Sequence, residues 1–193
     1  MALTASKVPV PSLTYEEYLA EAEVNRRYDI IEGVRRFMAS PTWQHQRIAD
    51  KMTRALLAFE ESSGAGMALS APFDVLIERL PLRTRQPDVL FISQEQLAVA
   101  GGVPERGVLE VAPELVVEVL SESDRQQVLD EKLADYALIG VREAWLVLPE
   151  EKQVQVMQLT TGGPVLAATY DTAGTVRSLT FPDLMVPVVA LFP

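Results

Sequence analysis

A chain of 193 residues that is 48% hydrophobic carries enough apolar material for one sizeable core. It has no cysteine and a single histidine, His45, which excludes disulfides, thiolate metal sites and any centre built from several imidazoles of one chain. The net charge of −10 argues against a nucleic-acid partner, but it is uneven: residues 1–90 hold 11 Lys/Arg against 12 Asp/Glu, and residues 91–193 hold 6 against 15.

Residues 1–11 read as an N-terminal arm, and 12–193 as one α/β domain without internal repeats. The arm lacks the basic region and long apolar stretch of a signal peptide. No run approaches the roughly 20 apolar residues of a membrane span. With the absent cysteines, this leads us to expect a cytoplasmic protein with no membrane partner. Thr14 and Glu17 form a capping box for a short helix. Residues 28–38 read as a hairpin turning at Glu32-Gly33. Ser40-Pro41 or Thr42 then caps a long helix, about 43–62, whose inward face is Ile48, Met52, Ala55, Leu56 and Phe59. Strands are expected at 67–70, 73–78 and 87–92, and a short helix at 94–100. The nearly continuous apolar run 114–120 predicts a central strand buried on both faces. Asp124 caps a helix that Gly140 stops. Strands follow at 143–148, 153–159 and 165–170, and the apolar tail 179–192 packs back on the core.

Three charges sit where charge is costly. Asp88 opens the strand Val89-Leu90-Phe91-Ile92, Glu118 interrupts Leu115-Val116-Val117 and Val119-Leu120, and Lys132 falls inside an apolar helical arc. At about 100° per residue, Lys132 lies between Val128 and Tyr136, while Asp130, Glu131 and Asp135 fall outside the arc. An unpaired buried charge costs several kcal/mol. The three groups must therefore meet one another, a metal ion, or both. Two carboxylates suit Mg²⁺ or Mn²⁺ better than Zn²⁺, and a nearby lysine would orient or deprotonate a water attacking a phosphate ester. The plainer alternatives are a snorkelling Lys132, a structural ion pair at Glu118 and a turn-side Asp88. His45 shares a helix face with Met52, Leu56 and Phe59; it reads as a core histidine, with a phosphate or water contact as the alternative. Arg35/Arg36 and Arg47/Lys51/Arg54 are the candidate phosphate contacts.

Beyond these residues the chain carries an ordered set of segments: Tyr28-Asp29-Ile30-Ile31-Glu32-Gly33, His45-Gln46-Arg47-Ile48, Gln86-Pro87-Asp88-Val89, residues 113–121, Glu131-Lys132 with Tyr136, and residues 140–147. Taken together they resemble the Uma2 family of endonucleases, within the PD-(D/E)xK restriction-endonuclease-like superfamily. The resemblance covers about Thr14 to Phe192. It implies a restriction-endonuclease-like domain, a mixed β-sheet flanked by helices, that hydrolyses DNA with Mg²⁺ or Mn²⁺. Asp88 and Glu118 would be the metal ligands, with the Val119 carbonyl a candidate third. The superfamily lysine falls at Leu120 here, so its role passes to Lys132. Glu32 matches an acidic position that holds a water or a second ion; the alternative is a plain turn residue. Gln46 and Trp43 would serve packing and second-layer contacts, as would His45. DNA is the implied partner, and a homodimer is expected because cutting two strands takes two sites. The reading of another class is a non-catalytic scaffold that keeps the fold and its buried charges as a structural cluster.

Overall fold

The computed structural model describes residues 12–21, 24, 26–104, 108–121 and 126–193. The proposed arm 1–11 and the Asp124 cap lie outside these. Helix α1 (Tyr15–Ala20) opens on the expected capping box: the Thr14 hydroxyl accepts from the Glu17 amide, and the Glu17 carboxylate accepts from the Thr14 amide. Strands β1 (Tyr28–Ile31) and β2 (Val34–Phe37) pair antiparallel across Glu32-Gly33, both at positive φ, as a two-residue hairpin turn requires. Thr42 caps α2 (Trp43–Ser63), and Gly64 ends it in the left-handed conformation. The helix buries Ile48, Met52, Leu56 and Phe59, each worth about 1.5–3 kcal/mol on transfer from water. Leu56→Ala would cost about 2–5 kcal/mol.

The chain continues through β3 (Gly66–Ser70), β4 (Asp74–Arg79), β5 (Leu82–Arg85), β6 (Val89–Ser93), α3 (Gln94–Ala100), β7 (Val108–Leu109) and β8 (Leu115–Val119). It ends with α4 (Gln126–Ile139), β9 (Glu143–Leu148), β10 (Gln153–Thr160), β11 (Gly163–Tyr170), β12 (Thr175–Arg177), β13 (Met185–Pro187) and α5 (Val188–Leu191). The expected strands and helices are present. The short pieces β5, β7, β12, β13 and α5 come in addition. β5 was hidden because its alternation, Leu82-Arg83-Thr84-Arg85, places arginines where a sequence reading expects a loop.

The strands form two larger mixed sheets instead of one. A five-stranded sheet has the order β2-β1-β5-β4-β7, and a six-stranded sheet the order β11-β10-β9-β8-β6-β3. β8 pairs antiparallel with β6 and parallel with β9, so it is interior, and all five of its residues are buried. Its alternation divides the core. Leu115, Val117 and Val119 face α2 and the C-terminal segment, where Leu184, Val186, Val188, Leu191 and Phe192 close the cluster as the tail reading expected. Val116 faces the other side with Leu90, Ile92 and residues Leu129, Leu133 and Tyr136 of α4. Glu118 follows the parity of Val116 and points to the α4 side, while Asp88 lies in the bend just before β6, outside the strand's alternation. No helix among the described residues is long and apolar enough to cross a membrane.

Candidate functional site

The register of the central pair decides the geometry. Val89 stands opposite Val117, and the Asp88 amide donates to the Val117 carbonyl. Just beyond this pair, Asp88 in the bend before β6 and Glu118 on β8 lie close enough to feel each other's charge. Each acid is only 4% exposed. Two like charges this close, in a poorly solvated layer, persist only with strong partners.

Both acids have such partners. Asp88 Oδ1 meets an Arg27 guanidinium nitrogen at 2.5 Å. Asp88 Oδ2 accepts from the Val119 amide at 2.7 Å and lies 3.2 Å from His45 Nε2. Glu118 Oε2 is 2.8 Å from Lys132 Nζ, and Oε1 accepts from the Tyr136 hydroxyl at 2.7 Å. Burial pushes the Asp88 carboxyl up, but His45, Arg27 and the Val119 amide outweigh it and hold the group down at about 2. For Glu118 burial wins, aided by the Asp88 charge, and the carboxyl is raised despite Lys132 and Tyr136. Burial alone would lower Lys132; Glu118, Asp29 and Asp88 reverse that, so its ammonium holds its proton more tightly than a free lysine. Burial and then Glu118 raise the Tyr136 phenol well above its ordinary range.

A second buried network braces the first. Arg85 sits between Asp29, at 2.8 Å, and Asp135, whose Oδ2 accepts from Arg85 Nε at 2.7 Å. Asp135 also accepts from Arg83 at 3.0 Å. These bonds tie β1 and β5 of one sheet to α4, the helix that carries Lys132 and Tyr136. They also correct the expected arc of α4: Asp135 turns inward to two arginines, and Val128 is left 42% exposed.

The cluster forms part of the wall of a cavity of about 320 Å³, lined by Arg27, Asp29, His45, Asp88, Glu118 and Lys132 among others. The expected trio Asp88, Glu118 and Lys132 is thus brought together, with His45 in direct contact. Glu32 is not brought in. It occupies the exposed tip of the β1–β2 turn, while Asp29, three residues earlier on β1, reaches the cavity. Gln46 is exposed on α2 and outside the cavity lining, because one residue after His45 the helix has rotated it away. Trp43 is 68% exposed, so it does not pack inward as expected. Of the candidate phosphate contacts, Arg36 lines the cavity. Lys51 donates to the Phe192 carbonyl, Arg47 and Arg54 pair with Asp50, and Arg35 pairs with Glu21.

Sequence reasoning missed Asp29, Arg85 and Tyr136 as members of the site. Asp29 carries the same signal that exposed Glu118, a carboxylate inside a strand otherwise made of buried Tyr and Ile. Arg85 carried no such signal, because β5 itself was not recognised.

The donor set suits a hard divalent ion in kind: two buried carboxylates beside an open cavity. Among the described residues no group of three acidic, histidine or cysteine side chains is gathered to hold a metal.

Residues 14–189 match the family model Uma2, described as "Putative restriction endonuclease". No curated protein matches. Among solved structures the chain is similar to "a putative nuclease belonging to DUF820" from Anabaena variabilis ATCC 29413, at 18% identity and a TM-score of 0.74, over 93% of this chain and 97% of that one. At that identity the likeness speaks for the fold: a mixed α/β architecture shared with that protein. The family match spans nearly the whole chain, and the chain belongs to the Uma2 family.

Proposed function

We propose that this protein is a metal-dependent endonuclease that hydrolyses DNA phosphodiester bonds, with Asp88 and Glu118 holding Mg²⁺ or Mn²⁺. The observation that carries the reading is the buried pair Asp88/Glu118 with Lys132 against Glu118, at the wall of a cavity, in a chain of this family. A divalent ion bound there neutralises charge on a phosphate and makes a neighbouring water a better nucleophile.

The chain's own residues supply the rest. Lys132 is held against Glu118 at 2.8 Å, where it can orient or deprotonate a water. It donates to the attacking water or to a phosphate oxygen and offsets the charge that builds up in attack. Tyr136 and Lys132 together fix both oxygens of Glu118, which limits its rotation. Arg27, 22% exposed, is the exchangeable partner of Asp88; when released it faces the same cavity as Arg36 and binds phosphate. His45 orients Asp88 from the α2 side. Cutting both strands of a duplex takes two such sites, which is the reason to expect a pair of chains.

One observation favours the scaffold reading. Every oxygen of Asp88 and Glu118 already has a partner, which is what a purely structural cluster would show. The experiment that separates the two readings is cleavage of supercoiled duplex and circular single-stranded DNA in Mg²⁺ or Mn²⁺, with an EDTA control, by wild type, Glu118→Ala and Lys132→Ala. Metal-dependent cleavage by wild type, lost in both folded variants, is the expected result. Cleavage retained in both variants, or none by wild type on either substrate, would remove the enzymatic reading.

A further inference from the structure

The cavity does not end at the charged cluster. A second groove adjoins it, lined by Trp43, Leu120, Ser121, Pro149, Glu150 and Glu151, and the two share Thr42, His45, Leu120 and Ser121 as a common wall. Trp43 lies on this second groove with 68% of its surface exposed, at the first position of a helix whose next inward residues are well packed. A tryptophan that lies open beside a polar site has a large flat face with nothing on it. Phe37 is 49% exposed and lines the first cavity, with the Arg26 guanidinium 4.5 Å from its ring centre. The connection 38–42 joins these two aromatics in sequence and lines the same cavity.

The two linings differ in charge. The first cavity carries Arg27, Arg36, Arg85 and Lys132 balanced against Asp29, Asp88, Glu118 and Glu131, with Arg26 beside it at Phe37. The second groove carries Glu150 and Glu151 and no arginine or lysine. A phosphate therefore finds cationic side chains only in the first. The second groove instead offers a π face and carboxylates, which accept from the amino and imino groups on base edges. A base can reach that groove only if it is unpaired and unstacked. The acids at the cavity wall, each 4% exposed, make the same demand: the backbone must bend inward to them, which a flexible single strand does at far lower cost than a stiff duplex. The net charge of −10 points the same way, because a duplex brings twice the phosphate charge per base pair to an acidic surface.

We propose that Trp43 is a base-stacking residue and that the substrate engaged at this site is unpaired DNA, its phosphate over Asp88/Glu118 and an adjacent base on the Trp43 face. The choice of DNA rests on the nuclease reading; the binding geometry is tested apart from it.

The test uses intrinsic fluorescence in Mg²⁺ with phosphorothioate-linked DNA, which resists cleavage, so that an ion can remain between the carboxylates and the phosphate. Trp145 is fully buried, so quenching by added DNA reports on Trp43. A short mixed-sequence single strand should quench the wild type and bind at least about tenfold more tightly than its own blunt duplex. Trp43→Ala should weaken single-strand binding by about 5- to 100-fold, followed by anisotropy of a labelled strand, and Trp43→Phe should restore most of it. An unchanged melting temperature in both variants shows that the fold is kept. Equal affinity for strand and duplex, no quenching at saturation, or full affinity in Trp43→Ala would overturn the inference. Trp43-dependent binding without cleavage of any DNA would sustain it while removing the nuclease reading. Cleavage of duplex by Trp43→Ala at the wild-type rate would do the reverse.

Discussion

Glu118 and Glu143 are both buried glutamates on neighbouring strands of the same sheet, and they are held in opposite ways. Glu143 is fully buried. It accepts from the Trp145 indole at 2.6 Å, the Ser178 hydroxyl at 2.7 Å, and the Leu179 and Thr180 amides at 3.0 Å. Every one of these donors is neutral, and all come from β9 itself or from the segment after β12. Glu118 has a lysine and a tyrosine, a neighbouring carboxylate and an open cavity. Neutral donors around a sealed carboxylate pin a loop to a strand. A cation and a second carboxylate around an open one leave charge that can be redistributed when a ligand arrives. Burial alone therefore does not distinguish the two acids; the sign and accessibility of their partners do.

The comparison can be broken most forcefully at Glu118. Glu118→Gln keeps the volume and should lower cleavage by about a thousandfold or more, with Lys132→Ala causing a loss of about 10²- to 10⁴-fold. Gel assays of purified, folded variants measure both; a loss below tenfold in either would place the chemistry elsewhere. Glu143→Gln should do the opposite. It puts an amide donor against existing donors and should cost about 3 kcal/mol of stability, or about 6–12 °C in melting temperature, with activity of the folded fraction unchanged. A stable but inactive Glu143→Gln would erase the distinction between the two glutamates.

Asp74 sharpens it from a third position. Its carboxylate accepts from Tyr18 at 2.5 Å and Thr84 at 3.2 Å, yet burial outweighs these neutral donors and raises the group to about 6. The folded state thus binds this proton more tightly than the unfolded chain. The group's contribution to stability is greatest below about pH 4 and falls as pH rises to about 6. Asp74→Asn removes the slope, so the variant should gain on wild type by roughly 3 kcal/mol between pH 4 and pH 7 in denaturant titrations. A pH-independent difference would contradict this. The smallest effect belongs to Glu32→Ala. At an exposed turn outside the cavity it should leave cleavage unchanged and stability within about 0.5 kcal/mol. A tenfold loss of cleavage would return Glu32 to the site.

The core of the site was legible in the sequence because cost is legible. Asp88, Glu118 and Lys132 each break an apolar pattern, and the pairing of β6 with β8 and the packing of α4 on the same core bring those breaks into one cluster. Asp29 was legible by the same rule. Arg85 was not, because its strand is written in arginine and threonine and becomes a strand only between β1 and β4. The inward turn of Asp135 likewise depends on Arg83 and Arg85, some 50 residues away in sequence, which no helical wheel of α4 contains. Glu32 and Gln46 were placed by the family resemblance, and a turn tip and about 100° of helix rotation put them outside the cavity lining. The exposure of Trp43 follows from the same rotation at the start of α2.

The measurement closest to the central claim is Mn²⁺ binding, followed by electron paramagnetic resonance on wild type, Glu118→Gln and Glu143→Gln without DNA. The account predicts one ion per chain in wild type, loss of that ion in Glu118→Gln, and its retention in folded Glu143→Gln. No binding at millimolar Mn²⁺, or binding unchanged in Glu118→Gln, would mean that the two carboxylates are a structural ion cluster and not a metal site.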